Sequence, residues 1–142
     1  KSQIGTFVQS FPDATLWNSD FLDSGYDLVL VGQIGPVRVD GEEIARRFRE
    51  DSELWESLAE VGLGSTVELL QTYAGWGPDL EPWLRDAEIN RDRSLRLQYL
   101  AGLALDRQDA YSIYDSIVGY RRYPRELFQV SSRDEAQLLQ GY

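Results

Sequence analysis

The sequence predicts an α+β chain, mostly helical: a β-hairpin with a flanking helix, then a C-terminal helical domain. Two short runs rich in aromatic and branched residues, 14–18 (ATLWN) and 26–33 (YDLVLVGQ), flank the turn-forming segment DFLDSG. After the breaker Gly35-Pro36, apolar residues recur at helical spacing. Several of those segments open on residues suited to capping a helix N-terminus. The expected division is residues 1–34 for the helix and hairpin and 35–142 for the helical part.

The flanking helix rests on Ile4, Phe7, Val8 and Phe11, spaced for one helical face and stopped by Pro12. In the hairpin, the second strand (DLVLVG) is nearly continuous in hydrophobicity, which predicts cover on both faces. Asp40 can cap a helix holding Ile44, Phe48 and Arg46-Arg47, and Asp51 or Ser52 the next, with Leu54, Trp55, Leu58 and Val61. Ser65-Thr-Val-Glu68 is a capping box for a third helix expected to end near Gly75. Pro78 and Pro82 are both expected in the first turn of a fourth, where proline is tolerated. Ala110, Ile113, Tyr114, Ile117 and Tyr120 form a stripe on a helix over 108–122, halted by Pro124. Ser132-Arg-Asp-Glu135 reads as a capping box for a terminal helix through Leu138 and Leu139.

Composition narrows the chemistry. The 142 residues suffice for one modest core. With 24 acidic and 14 basic residues the net charge is −10, a field that repels phosphate backbones and argues against nucleic acid. There is no cysteine and no histidine, so thiolate chemistry, Ser-His triads and the commonest metal ligands are excluded. No apolar run approaches the ~20 residues that span a bilayer. The chain opens on Lys1 rather than Met, and is expected to be a piece of something longer.

Each candidate site has a structural rival. Gly62–Thr66 (GLGST) resembles a phosphate-binding glycine loop, but a helix precedes it, so a helix stop and a cap are favoured. The carboxylate pairs Asp20/Asp23, Glu42/Glu43 and Asp79/Glu81 read as surface or caps rather than an acid/base pair. The four tryptophans and eight tyrosines read as core before pocket. Arg121, Arg122 and Arg125 read as favouring a helix C-terminus and nearby acids before an anion. In INRDRSLRLQYLAG (89–102), the charged half around Asn90 and Asp92 reads as a turn. Leu95, Leu97 and Tyr99 then alternate as an extended segment. No catalytic or metal-binding set emerges.

Three segments carry a family resemblance. TFVQSFPDATLW followed by YDLVLVG resembles the helix and last two strands of the spermidine synthase-like (polyamine aminopropyltransferase) fold. INRDRSLRLQYLAG and IYDSIVGYRRYPRELF resemble the C-terminal extension of large bacterial proteins of that group. The resemblance implies that residues 1–34 end a methyltransferase-like Rossmann sheet. It implies a parent that takes decarboxylated S-adenosylmethionine as co-substrate and transfers an aminopropyl group to a diamine. The glycine-rich nucleotide loop and the catalytic aspartate of that family are not found in this chain. At the place of the family's Gly-x-Trp segment stands Ser24-Gly25-Tyr26-Asp27, with Asp27 where the tryptophan would be. Tyr26 and Asp27 are therefore the implied substrate-binding residues, Asp27 for an ammonium and Tyr26 for an apolar wall with a hydroxyl.

The expected function is a non-catalytic C-terminal part that packs on or completes the parent's active-site domain. Its partners are the upstream Rossmann-like domain and a second copy, met through the hairpin or an apolar helix face. The chain is expected to be cytoplasmic and to make no membrane contact itself; many members carry a membrane region before the synthase-like domain, so a tether of the parent would lie upstream. The rival reading is a stand-alone acidic helical module that binds a protein partner. A self-contained enzyme ranks last.

Overall fold

A computed structural model describes residues 1–19, 27–91 and 107–142. Asp20/Asp23, the DFLDSG turn, Tyr26, and Asp92 with the segment that follows it lie outside the described residues, as does the Ala110 side chain. The fold is α+β. Helix α1 (Ser2–Ser10) turns Ile4 and Val8 inward and ends where Phe11, which precedes Pro12, leaves helical backbone. Strands β1 (Thr15–Asn18) and β2 (Leu28–Val31) pair antiparallel with Leu16 opposite Leu30, so the expected hairpin partners are found together.

The cover expected over both faces of β2 is not there. Leu28 and Leu30 pack on the core, whereas Val29 and Val31 remain 49% and 44% exposed. Among the described residues β2 has a strand neighbour on one side only, because the sheet order is β2-β1-β4. A strand at a sheet edge can be apolar on both faces yet bury only one.

The region after residue 35 is not purely helical. β3 (Val39–Asp40) precedes α2 (Gly41–Glu50), α3 (Ser52–Glu60) and α4 (Thr66–Gln71). Instead of continuing to Gly75, α4 stops at Thr72 and the chain becomes β4 (Tyr73–Trp76), antiparallel to β1. Leu69, Leu70 and Tyr73 keep helical spacing, but Tyr73, Ala74 and Gly75 are all buried, an environment that suits a strand inside a sheet. Helices α5 (Gly77–Leu84), α6 (Arg107–Val118) and α7 (Ser132–Leu138) follow, with β5 (Phe128–Gln129) bridging β3 in parallel before α7. Among the described residues no helix is long and apolar enough to cross a membrane.

The caps explain where these helices start. Asp40 accepts from the Glu43 amide, and Asp51, rather than Ser52, accepts from Leu54. Ser65 accepts from the Glu68 amide, the first half of the expected box, while the Glu68 carboxylate accepts from the Ser65 hydroxyl. For α7 the cap is Ser131, not Ser132: its backbone is extended and its hydroxyl accepts from the Asp134 amide. Gly77 begins α5 by donating to the Ala14 carbonyl, which leaves Pro78 in the first turn but Pro82 inside the helix. Helix α6 ends at Val118 rather than Arg122, so Tyr120 lies in the following turn and is exposed.

Alternation along β1 and β4 gives those two strands cover on both faces. Leu16 and Ala74 meet Ile4, Leu80 and Ile117 on one side. Tyr73 meets Leu70, Leu127, Phe128 and Leu138 on the other, with Trp17 packed against them. Trp17, Tyr73 and Phe128 form a ring cluster with centroids 5.4 to 6.1 Å apart.

Candidate functional site

Of the two residues implied in substrate binding, Asp27 is described. It enters β2 on the exposed side, and its backbone carbonyl accepts from the Ser19 amide (3.1 Å) and hydroxyl (2.9 Å). Asp27 borders a cleft of about 310 Å³ with Gln3, Leu30, Ile113 and Tyr114. The Tyr114 hydroxyl accepts from the Asn18 amide at 3.3 Å, which ties α6 to the end of β1. Lys1 also lines the cleft; its ammonium is held by Asp86 and lies 5.3 Å from the Trp83 ring centre. A carboxylate, an amide and a phenol over a floor of Ile and Leu could meet a small amine, but the Lys1 cation lining the same cleft opposes an ammonium there. Because Asp27 is exposed, water screens its pull on such an ammonium. Nothing local marks Tyr114 for this place; it arrives from 87 residues further along the chain.

The other candidates take structural roles. Gly62, at φ 77, ends the turn after α3, and Ser65 caps α4, so GLGST is a helix junction. Glu43 sits in the first turn of α2, where the Arg46 guanidinium, then Arg47, hold its carboxyl at about 2. Arg46 also pairs with Glu50. Asp79 is pushed above the ordinary carboxylate range by burial, and Arg122 opposes that shift. Arg121 donates to the carbonyls of Tyr73 (3.4 Å) and Gly141 (2.8 Å) and lies 4.6 Å from the Tyr142 ring centre. It locks the chain end onto the sheet instead of facing acids. Burial pushes the Tyr142 phenol up to about 12.

Three tryptophans follow the core reading in whole or part, since Trp17, Trp76 and Trp83 pack against the two clusters. Trp55 departs from it: it is 43% exposed on α3. The Tyr73 hydroxyl and the Trp76 indole N–H are buried without a hydrogen-bond partner. Among the described residues no group of three acidic side chains is placed to hold a metal. Comparison with known proteins finds no matching family model, no matching curated protein and no matching solved structure.

Proposed function

We propose that this chain is the C-terminal, non-catalytic part of a spermidine synthase-like aminopropyltransferase, which packs on or completes the active-site domain of its parent. The observation that carries the reading is β2. Its four residues are all apolar, yet Val29 and Val31 stay about half exposed, and its outer edge has no strand beside it among the described residues. Covering those two valines would be worth about 1 kcal/mol each, a reason for a neighbouring domain to sit there. In the parent, Asp27 would meet one ammonium of the diamine, and decarboxylated S-adenosylmethionine would bind in the upstream Rossmann-like domain.

Two measurements test this. The coding sequence upstream of Lys1 is expected to hold a strand, a glycine-rich loop and a helix, with an acidic residue some twenty positions on; an unrelated sequence there refutes the parentage. Calorimetry is expected to detect no spermidine binding to the chain alone, while the intact parent binds it. Micromolar binding by the isolated chain would sink the non-catalytic reading.

A further inference from the structure

Helix α3 buries none of its residues, which is unusual for a nine-residue helix carrying Leu54, Trp55 and Leu58. Leu54 and Trp55 are 38% and 43% exposed. The Trp55 ring is nevertheless fixed, because its indole N–H donates to the Gly64 carbonyl at 2.8 Å. Beside it, α2, α3, the start of α4 and α7 border a cleft of about 630 Å³ lined by Phe48, Arg49, Trp55, Thr66 and Arg133. Arg49 and Arg133 make no ion pair or hydrogen bond there, although Asp134 also reaches the cleft and offsets part of their charge. The outer face of α3 carries Glu53, Glu56 and Glu60, all exposed and equally without an ion pair. Two unpaired cations and three unpaired anions therefore flank one exposed aromatic surface, in a chain whose net charge is −10.

We propose that this surface docks a second copy of the chain about a twofold axis, α3 of each copy lying over the cleft of the other. Such an interface is self-complementary: the glutamates of one α3 meet Arg49 and Arg133 of its partner, and Trp55 and Leu54 are covered on both sides. Trp and Arg at the centre are the residue types that dominate interface energies. The chain supplies both halves of the charge pattern, so no acidic partner from elsewhere is required. The inference goes beyond the proposed parentage and stands or falls separately from it.

Sedimentation equilibrium on the whole chain tests it with paired charge reversals. The wild type is expected to dimerise with a Kd on the order of tens of micromolar. Arg49→Glu with Arg133→Glu sets acid against acid at both half-interfaces, and Glu53→Lys with Glu56→Lys sets base against base. Each variant alone is expected to associate at least ~10-fold more weakly. An equimolar mixture restores complementary charges at both half-interfaces, and is expected to dimerise about as tightly as the wild type. A wild type that stays monomeric at about 1 mM overturns the proposal. So does association that survives in either variant, or a mixture that fails to recover it.

Discussion

Replacing Gly77 by alanine probes the joint that hangs α5 on the sheet. Gly77 is buried, and its N–H donates to the Ala14 carbonyl at 2.8 Å. A β-carbon added there would lie 2.2 Å from the Pro12 carbonyl oxygen, which belongs to backbone and cannot rotate away. Reaching even a 3.0 Å contact parts the two chains by about 0.8 Å, and the Gly77–Ala14 hydrogen bond stretches with them. Overpacking of this kind costs about 1–3 kcal/mol and a weakened hydrogen bond about 1 more. Alanine returns up to ~1 kcal/mol through its better helix propensity. The expected net loss is about 1–4 kcal/mol, a large share of the 5–15 kcal/mol typical of a domain. Urea unfolding followed by tryptophan fluorescence, with Gly141→Ala as control, reads it directly, since a β-carbon at Gly141 meets nothing within 4 Å. A loss below ~0.5 kcal/mol at unchanged m would refute the claim that this contact is rigid.

Two further predictions concern charge and caps. Glu43 has a depressed folded value, so its stabilisation is complete above its unfolded value of 4.5 and disappears as the pH falls through about 2. Asp79 has the opposite sign: burial raises it, so ionisation costs stability that returns as acid protonates it. Urea midpoints from pH 2 to 7 should therefore show a flatter acid limb in Glu43→Gln and a higher neutral midpoint in Asp79→Asn. Ser131→Ala is expected to cost about 1 kcal/mol and Ser132→Ala less than about 0.5, because only the Ser131 hydroxyl accepts from Asp134. Equal losses at the two serines would contradict that cap.

What could be read from the sequence was local. Asp40 and Ser65 cap the helices they were expected to cap, because cap and amide lie three residues apart. The ATLWN and LVLV runs find each other because a short connection joins them. β4 could not be read, because Leu69, Leu70 and Tyr73 continue a helical spacing. Only the pairing of Tyr73 with Trp17, 56 residues earlier, makes a strand the better choice. The parallel bridge of Val39 to Phe128 was hidden for the same reason. So was the cleft beside Asp27, since Tyr114 reaches it from a distant helix. The distinction is between interactions closed within one turn of chain and those that need a partner the sequence does not mark.

β2 falls between these cases. Its pattern is that of an interior strand, and its existence and pairing follow from it, but its surroundings in the described chain are those of an edge. Edge strands are normally blunted by charge, proline or a bulge, and LVLV has none of these. Glycine follows instead: a β-carbon at Gly32 would lie 2.6 Å from the Phe11 ring, so the strand's exit is packed tightly against the end of α1. One end of β2 is thus built to close contact while its outward valines are left half bare. The sequence pattern is incorrect about this chain's own packing, and a neighbour on the bare side is what the proposed parentage would require: it would cover Val29 and Val31 and leave the Gly32–Phe11 contact as it is.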